Sequence, residues 1–251
     1  MTDQAVDDWF VPVGRRPNAE MALLAFPHAG GGCSAFARHS REMPDWLEMR
    51  TLNLPGRQAR FSEASRTDLG GLVADLVAQC AQYTMPYLMF GYCSGALLAY
   101  QAVRGLSDSG SALPRRLIIG SYSAPHLIST TPIDDLSSEQ LWKVLANYHV
   151  VPAELASRED LRAVSEPAIR ADLSLISQYR HIPLEPLPVP ITVLAGEKDE
   201  WQLAHDFASW QRYTTHDIRG RTIRAGHWFM SENPLASAEA LITEAETARD
   251  S

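Results

Sequence analysis

Cysteine is scarce in this chain. There are three, an odd number, and no CxxC pair among them. That excludes a disulfide framework and makes a cytoplasmic location the default expectation. Long apolar runs are absent too: no stretch approaches the roughly 18 consecutive apolar residues that a bilayer span requires. Basic charge is in deficit. Lysine and arginine number 22 against 30 aspartates and glutamates, for a formal net charge of -8. An acidic surface of this kind argues against nucleic acid or an anionic membrane as partner. The stretch MTDQAVDDWFVPVGRRP carries acidic residues and no apolar h-region, so a secretory signal is not expected. Internal repeats and low-complexity segments are missing as well, so a repeat array is not expected.

What is present is the material for a core. Hydrophobic residues make up 45% of 251, which excludes global disorder and suits one α/β domain with an insertion. Met21–Phe26 reads as a buried strand feeding the loop Pro27-His28-Ala29-Gly30-Gly31-Gly32. Met49–Leu54, Tyr87–Phe90, Leu117–Gly120, Ile191–Ala195 and Asp217–Arg224 read as further strands. Helical spacing is expected over Asp68–Gln82, Ala96–Leu106, Leu203–Tyr213 and Leu235–Ala248. Strands alternating with helices imply a mostly parallel sheet covered on both faces. One segment breaks the alternation. Residues 127–182 hold only helical patterns, including Ser137–Tyr148 and Ala168–Tyr179, and Ser137 with Gln140 resembles a capping box. This segment reads as a helical lid inserted in a single domain spanning 1–251. The alternative is an ordinary connection with added helices.

The most informative stretch is Leu88-Met89-Phe90-Gly91-Tyr92-Cys93-Ser94-Gly95-Ala96. A strand runs into a helix through Gly-x-Cys-x-Gly, the nucleophile-elbow pattern with cysteine where serine is usual. So tight a turn needs small residues two before and two after the nucleophile. Gly91 and Gly95 meet that need for Cys93. Taking Ser94 as nucleophile would put Tyr92 and Ala96 there, and Tyr92 would clash. A helix N-terminus favours an anion, which suits a thiolate at Cys93, and the Ser94 N–H is placed to meet a developing oxyanion. A buried cysteine in a glycine-lined turn is the plainer alternative.

The neighbouring motifs favour chemistry. Ile191–Gly196 leads to Asp199 in an acid-bearing loop, and Ala225-Gly226-His227-Trp228-Phe229 follows the last strand. The order nucleophile, acid, histidine is that of α/β-hydrolases. His227 is therefore the expected base and Asp199 its orienting acid, with Glu197 a rival in the same loop. The glycines at 30 and 31 let backbone approach a substrate, and the Ala29 N–H is the expected second oxyanion donor. His28, Tyr92, Trp228 and Phe229 flank these positions and are expected to line the substrate. PHAGGG has neither the spacing nor the lysine of a nucleotide loop. Cys33 and Cys80 read as structural, and His28, His126, His149 and His181 have no metal-ligand spacing.

Taken together these residues resemble the type II, external editing thioesterases of polyketide and nonribosomal peptide biosynthesis. The likeness spans nearly the whole chain. It rests on Phe26–Gly31, Leu54-Pro55-Gly56-Arg57, Phe90–Ala96, Pro167-Ala168-Ile169-Arg170-Ala171-Asp172, Pro190–Val193 with Gly196 and Asp199, and Gly226–Phe229. The resemblance implies an α/β-hydrolase fold and a Cys93-Asp199-His227 triad. It also implies oxyanion donors at Ala29 and Ser94, a helical lid containing the 167–172 motif, and a monomer. The substrates it implies are acyl or peptidyl groups on the phosphopantetheine of a carrier protein, with no cofactor or metal of the enzyme's own. Tyr92-Cys93-Ser94 departs from the family's usual His-Ser-Met. An acyl-cysteine is itself a thioester and keeps its acyl-transfer potential, so an acyltransferase or cyclase is a second expectation. A non-catalytic carrier-binding module is a third, against which an intact Asp199/His227 pair argues.

Overall fold

The computed structural model describes residues 9–129, 133, 135–147, 151, 153–200 and 207–250. Strands β1 (Phe10–Pro12), β2 (Met21–Phe26), β3 (Leu47–Leu52), β4 (Tyr87–Tyr92), β5 (Leu117–Gly120), β6 (Ile191–Gly196) and β7 (Arg219–Ile223) form one sheet. Among the described residues it has seven strands in the order β1-β3-β2-β4-β5-β6-β7. Among the described residues the edge strand β1 pairs antiparallel with β3 and the other pairings are parallel.

Burial on both faces explains the composition of the central strands. Every residue of β2, β4, β5 and β6 is buried, as a parallel sheet covered on both sides requires. Alternation then sorts the side chains. Leu24, Phe26 and Met89 join one core with helices α1 (Leu69–Cys80) and α2 (Gly95–Asp108). Leu23, Ala25, Leu88, Phe90 and Tyr92 join the opposite core with α6 (Pro234–Arg249). Asp68 starts α1 by accepting from the N–H groups of Gly70 and Gly71, which relieves orphan donors of its first turn.

Between β5 and β6 lie α3 (Ser138–Asn147), α4 (Ala153–Ser157) and α5 (Glu159–Ser177). Ser137 and Gln140 form the reciprocal cap read in the sequence: the Ser137 N–H donates to Gln140 Oε1 at 2.9 Å and the Gln140 N–H to Ser137 Oγ at 3.3 Å. These helices have a small core of their own around Leu141, Trp142, Leu145, Val151 and Ile169. Helix α5 starts earlier than its apolar periodicity suggests and carries Pro167 inside it. Residues 203–206 of the helix expected over Leu203–Tyr213, and Tyr148 and His149, lie outside the described residues. What is described of that helix, Phe207–Tyr213, is a 3-10 helix. No helix among the described residues is long and apolar enough to cross a membrane.

Candidate active site

Parallel strands deliver their carboxyl ends to one side of the sheet, where an open α/β architecture holds its ligands. Four of those ends converge here. The first is the bend between β4 and α2. Cys93 has φ of +52°, a left-handed conformation that costs energy for a residue with a side chain. The glycines around it are there for space. A Cβ on Gly91 would come within 2.3 Å of Ala96 Cα, and one on Gly95 within 2.3 Å of the Phe26 carbonyl oxygen. The bend is held from the sheet side as well, by the Cys93 N–H donating to the Gly120 carbonyl at 2.8 Å.

The second and third ends are those of β6 and β7, which are locked together. The N–H groups of Glu197 and Lys198 donate to the carbonyls of Ile223 and Ala225 at 2.8 and 3.0 Å. A Cβ on Gly196 would meet the Gly226 carbonyl oxygen at 2.0 Å, so glycine alone permits this approach. The result is that Asp199 faces the His227 ring, with Nδ1 and Oδ2 3.0 Å apart. Asp199 is 1% exposed. Its rival Glu197 is exposed and borders a separate hollow of about 510 Å³ with Arg221, Arg224 and Glu239. Of the two acids, Asp199 is the buried one and the one that meets the imidazole. With Nδ1 engaged, Nε2 is the His227 nitrogen left for the sulfur. Burial alone would lower the affinity of His227 for a proton. The hydrogen bonds to Asp199 and to the Cys93 side chain, with the charges of both, outweigh it and raise the pKa to about 10.

The fourth end is the glycine loop after β2. Phe26 pairs with Gly91, so the register carries His28 and Ala29 alongside the bend. Ala29 is 3% exposed and Ser94 7%. Among the described residues neither of their N–H groups has a protein acceptor. Buried unpaired N–H groups are uncommon in proteins, and two beside one bend are suited to binding an oxyanion.

The residues expected to line the substrate divide. Tyr92 is 2% exposed and its hydroxyl donates to the His227 carbonyl at 2.8 Å, so it braces the histidine loop from the core. Phe229 is fully buried and packs edge-on against Tyr92. His28 and Trp228 are partly exposed and in edge contact, with ring centroids 5.0 Å apart. Burial first, then the charges of His227 and Arg57, lowers the His28 pKa to about 4 and keeps that ring neutral. Cys80 is buried, with its thiol pushed up to about 12 by desolvation. Burial also raises the Cys33 thiol. Among the described residues no group of His, Cys, Asp and Glu could hold a metal ion.

The chain as a whole is similar to known proteins. Residues 21–247 match the thioesterase domain family. The chain is 27% identical to the gramicidin S biosynthesis protein GrsT of Aneurinibacillus migulanus, over 93% of this chain and 92% of that protein. It is 28% identical to the human medium-chain S-acyl fatty acid synthase thioesterase, over 86% and 83%. Among solved structures it resembles the RedJ thioesterase of the prodiginine pathway of Streptomyces coelicolor, with a TM-score of 0.80 and 27% identity over 93% of this chain and 92% of that one. The chain thus belongs to the thioesterase domain family, on an α/β-hydrolase fold, and is a hydrolase of thioester bonds.

Proposed function

We propose that this protein is a type II thioesterase that removes acyl or peptidyl groups from the phosphopantetheine arm of carrier proteins in polyketide or nonribosomal peptide biosynthesis. One observation carries the chemical part: Cys93 sits in a left-handed bend whose neighbouring imidazole is bonded to a buried carboxylate. The pathway part draws on relatives named for gramicidin S and prodiginine biosynthesis. The partner in this reading is a carrier domain, the helices within 127–182 are a lid, and one soluble, cytoplasmic chain is the working unit.

The chemistry runs in two halves. The Cys93 sulfur, with its proton already held by His227, attacks the thioester carbonyl, and the carbonyl electrons collect on an oxygen held by the N–H groups of Ala29 and Ser94. Collapse breaks the bond to the pantetheine sulfur, which leaves with the proton from His227. The acyl group is then a thioester of Cys93. In the second half His227 takes a proton from water, hydroxide adds to the acyl carbon, and the free acid departs as the carbon–sulfur bond to Cys93 breaks, leaving the proton on His227. Asp199 keeps the imidazole oriented and stabilises its cationic form throughout.

The test is turnover of an acyl carrier-protein thioester with mass spectrometry of the trapped enzyme. Cys93→Ala should lose nearly all turnover, and the acyl group should appear on the Cys93 peptide of the unmodified enzyme. Undiminished turnover in Cys93→Ala would move the nucleophile elsewhere. The product also sorts the reactions. Free acid means water was the acceptor, whereas an amide, ester or new thioester means transfer from the acyl-cysteine. Binding of the carrier without turnover would leave a docking module.

A further inference from the structure

The glycine loop has little conformational preference of its own, yet an oxyanion donor has to be aimed to within a few tenths of an ångström. Groups from outside the loop grip it on both sides. The Gly30 N–H donates to Asp172 Oδ2 at 2.8 Å. Arg57 forks onto the same carboxylate, Nη1 to Oδ2 and Nη2 to Oδ1, both at 2.6 Å. The Arg57 Nη1 also donates to the Gly31 carbonyl at 3.2 Å. Next to it Gln58, itself at φ of +47°, accepts from the Cys33 N–H at 2.9 Å. Arg57 and Asp172 are each 6% exposed. Asp172 comes from the buried half of α5, where Ile169 lies so close that a Cβ on Gly30 would meet its Cγ1 at 2.4 Å.

We propose that Arg57 and Asp172 are positioning residues that aim the Ala29 N–H at the oxyanion. The Asp172 carboxylate fixes the peptide between Ala29 and Gly30, Arg57 fixes the carbonyl of Gly31, and the hole is complete only with α5 seated on the loop. A buried ion pair is poor value for stability alone, because desolvation cancels much of the attraction. Here the carboxylate has a further task, since an apolar replacement could not accept from the Gly30 N–H. The two charges come from different segments, Arg57 from the loop after β3 and Asp172 from the helices between β5 and β6. The catalytic loop is thereby tied to that helical segment.

This inference rests on Cys93 as nucleophile, and the experiment separates the two. It uses the whole chain, a short-chain acyl N-acetylcysteamine thioester, an acyl trifluoromethyl ketone and iodoacetamide. The ketone adds the Cys93 sulfur to its carbonyl and creates an oxyanion. Iodoacetamide forms a carbon–sulfur bond with loss of iodide and creates none. In Arg57→Met/Asp172→Leu, which removes both charges while keeping volume, we expect kcat to fall on the order of 10- to 100-fold with KM changing by less than about threefold. Ketone affinity should fall by the same factor as kcat/KM, while alkylation of Cys93 stays within about twofold. Asp172→Asn keeps an acceptor for Gly30 and should fall between the double variant and wild type in ketone affinity, and it decides the matter alone if the double variant does not fold. Ketone affinity unchanged in a folded variant, or lost in step with alkylation, would overturn the positioning role. Failure of iodoacetamide to label Cys93 in the wild type, or full turnover by Cys93→Ala, would instead overturn the nucleophile.

Discussion

Asp199 and Glu197 stand two residues apart in one loop, and a list of acids in the sequence cannot separate them. Burial can. A carboxylate that is 1% exposed keeps its field undiluted by water, and that charge faces the His227 ring. Asp199→Asn should therefore lower the proton affinity of His227 and cut kcat by on the order of 10²- to 10⁴-fold. Glu197→Gln should leave kcat within about twofold, as befits a surface substitution. Steady-state kinetics on both variants checks the pair, and equal losses would show that the acid has been misassigned. Thiol reactivity gives a second measure at this scale. Burial lifts the Cys33 thiol and pushes Cys80 to about 12, so neither carries much thiolate near neutrality. Iodoacetamide at pH 7 should modify Cys93 first, read by peptide mass spectrometry over time. The candidate site residues stand in local sequence motifs, because spacing around a bend is a local property. The contacts of Tyr92, Arg57 and Asp172 are not written in the motifs that contain them. Their partners lie 135 positions away for Tyr92 and 115 for the Arg57–Asp172 pair, and no local pattern encodes such contacts.

The elements were easiest to read where burial is most complete. Strands β2, β4, β5 and β6 announce themselves as short apolar runs because both faces are covered. β1, an edge strand of three residues, is too short for such a run to mark it. Apolar spacing marks helix α5 only from Ala168, the residue after Pro167. In the structure the helix runs through it, and its first half is mostly exposed, so no apolar stripe marks those turns. The β4–α2 junction makes a sharp prediction for an element boundary. Gly95→Ala would drive a methyl group to 2.3 and 2.4 Å from the carbonyl oxygens of Phe26 and Pro27. Backbone on both sides cannot give way, so the variant should fail to accumulate as folded protein, assayed by circular dichroism and soluble yield. The packing of α6 makes another. Glu244, 3% exposed, accepts from Thr192 Oγ1 at 2.7 Å and pairs with Arg116 at 3.5 Å, which joins α6 to β5 and β6. Glu244→Ala leaves the Arg116 charge buried without its counterion and should cost about 3–5 kcal/mol in urea unfolding. Replacing both charges, as in Arg116→Met/Glu244→Leu, should recover most of that loss.

Across the whole molecule, three histidines give stability a shape in pH. His227 is raised to about 10 in the folded state from an ordinary value near 6.5. Its contribution is therefore complete below pH 6.5 and is lost as pH rises toward 10, because the native state holds a proton that the unfolded chain has given up. His28 and His39 are shifted the other way, both to about 4 by burial. Their contribution is present above pH 6.5 and lost as pH falls toward 4, because the unfolded chain takes up protons that the packed rings refuse. At pH 5 these residues leave the unfolded state holding two protons more than the native state. At pH 8 it holds one fewer. Each unmatched proton tilts stability by about 1.4 kcal/mol per pH unit, so the three together favour a maximum near pH 6.5, with an acid slope up to about twice the alkaline one. Comparison of variants isolates each limb from the carboxylates. The margin of wild type over His227→Gln should be largest below pH 6.5 and shrink steadily to pH 10. The margin over His39→Leu should instead shrink from pH 6.5 to pH 4. Urea unfolding at half-unit steps measures both. A His227 margin that stays flat from pH 6.5 to pH 10 would mean that the imidazole takes no extra proton in the folded state. Asp199 would then orient a neutral ring, and the thiol proton would have to be accepted at the moment of attack without the stabilised imidazolium that the reaction uses here.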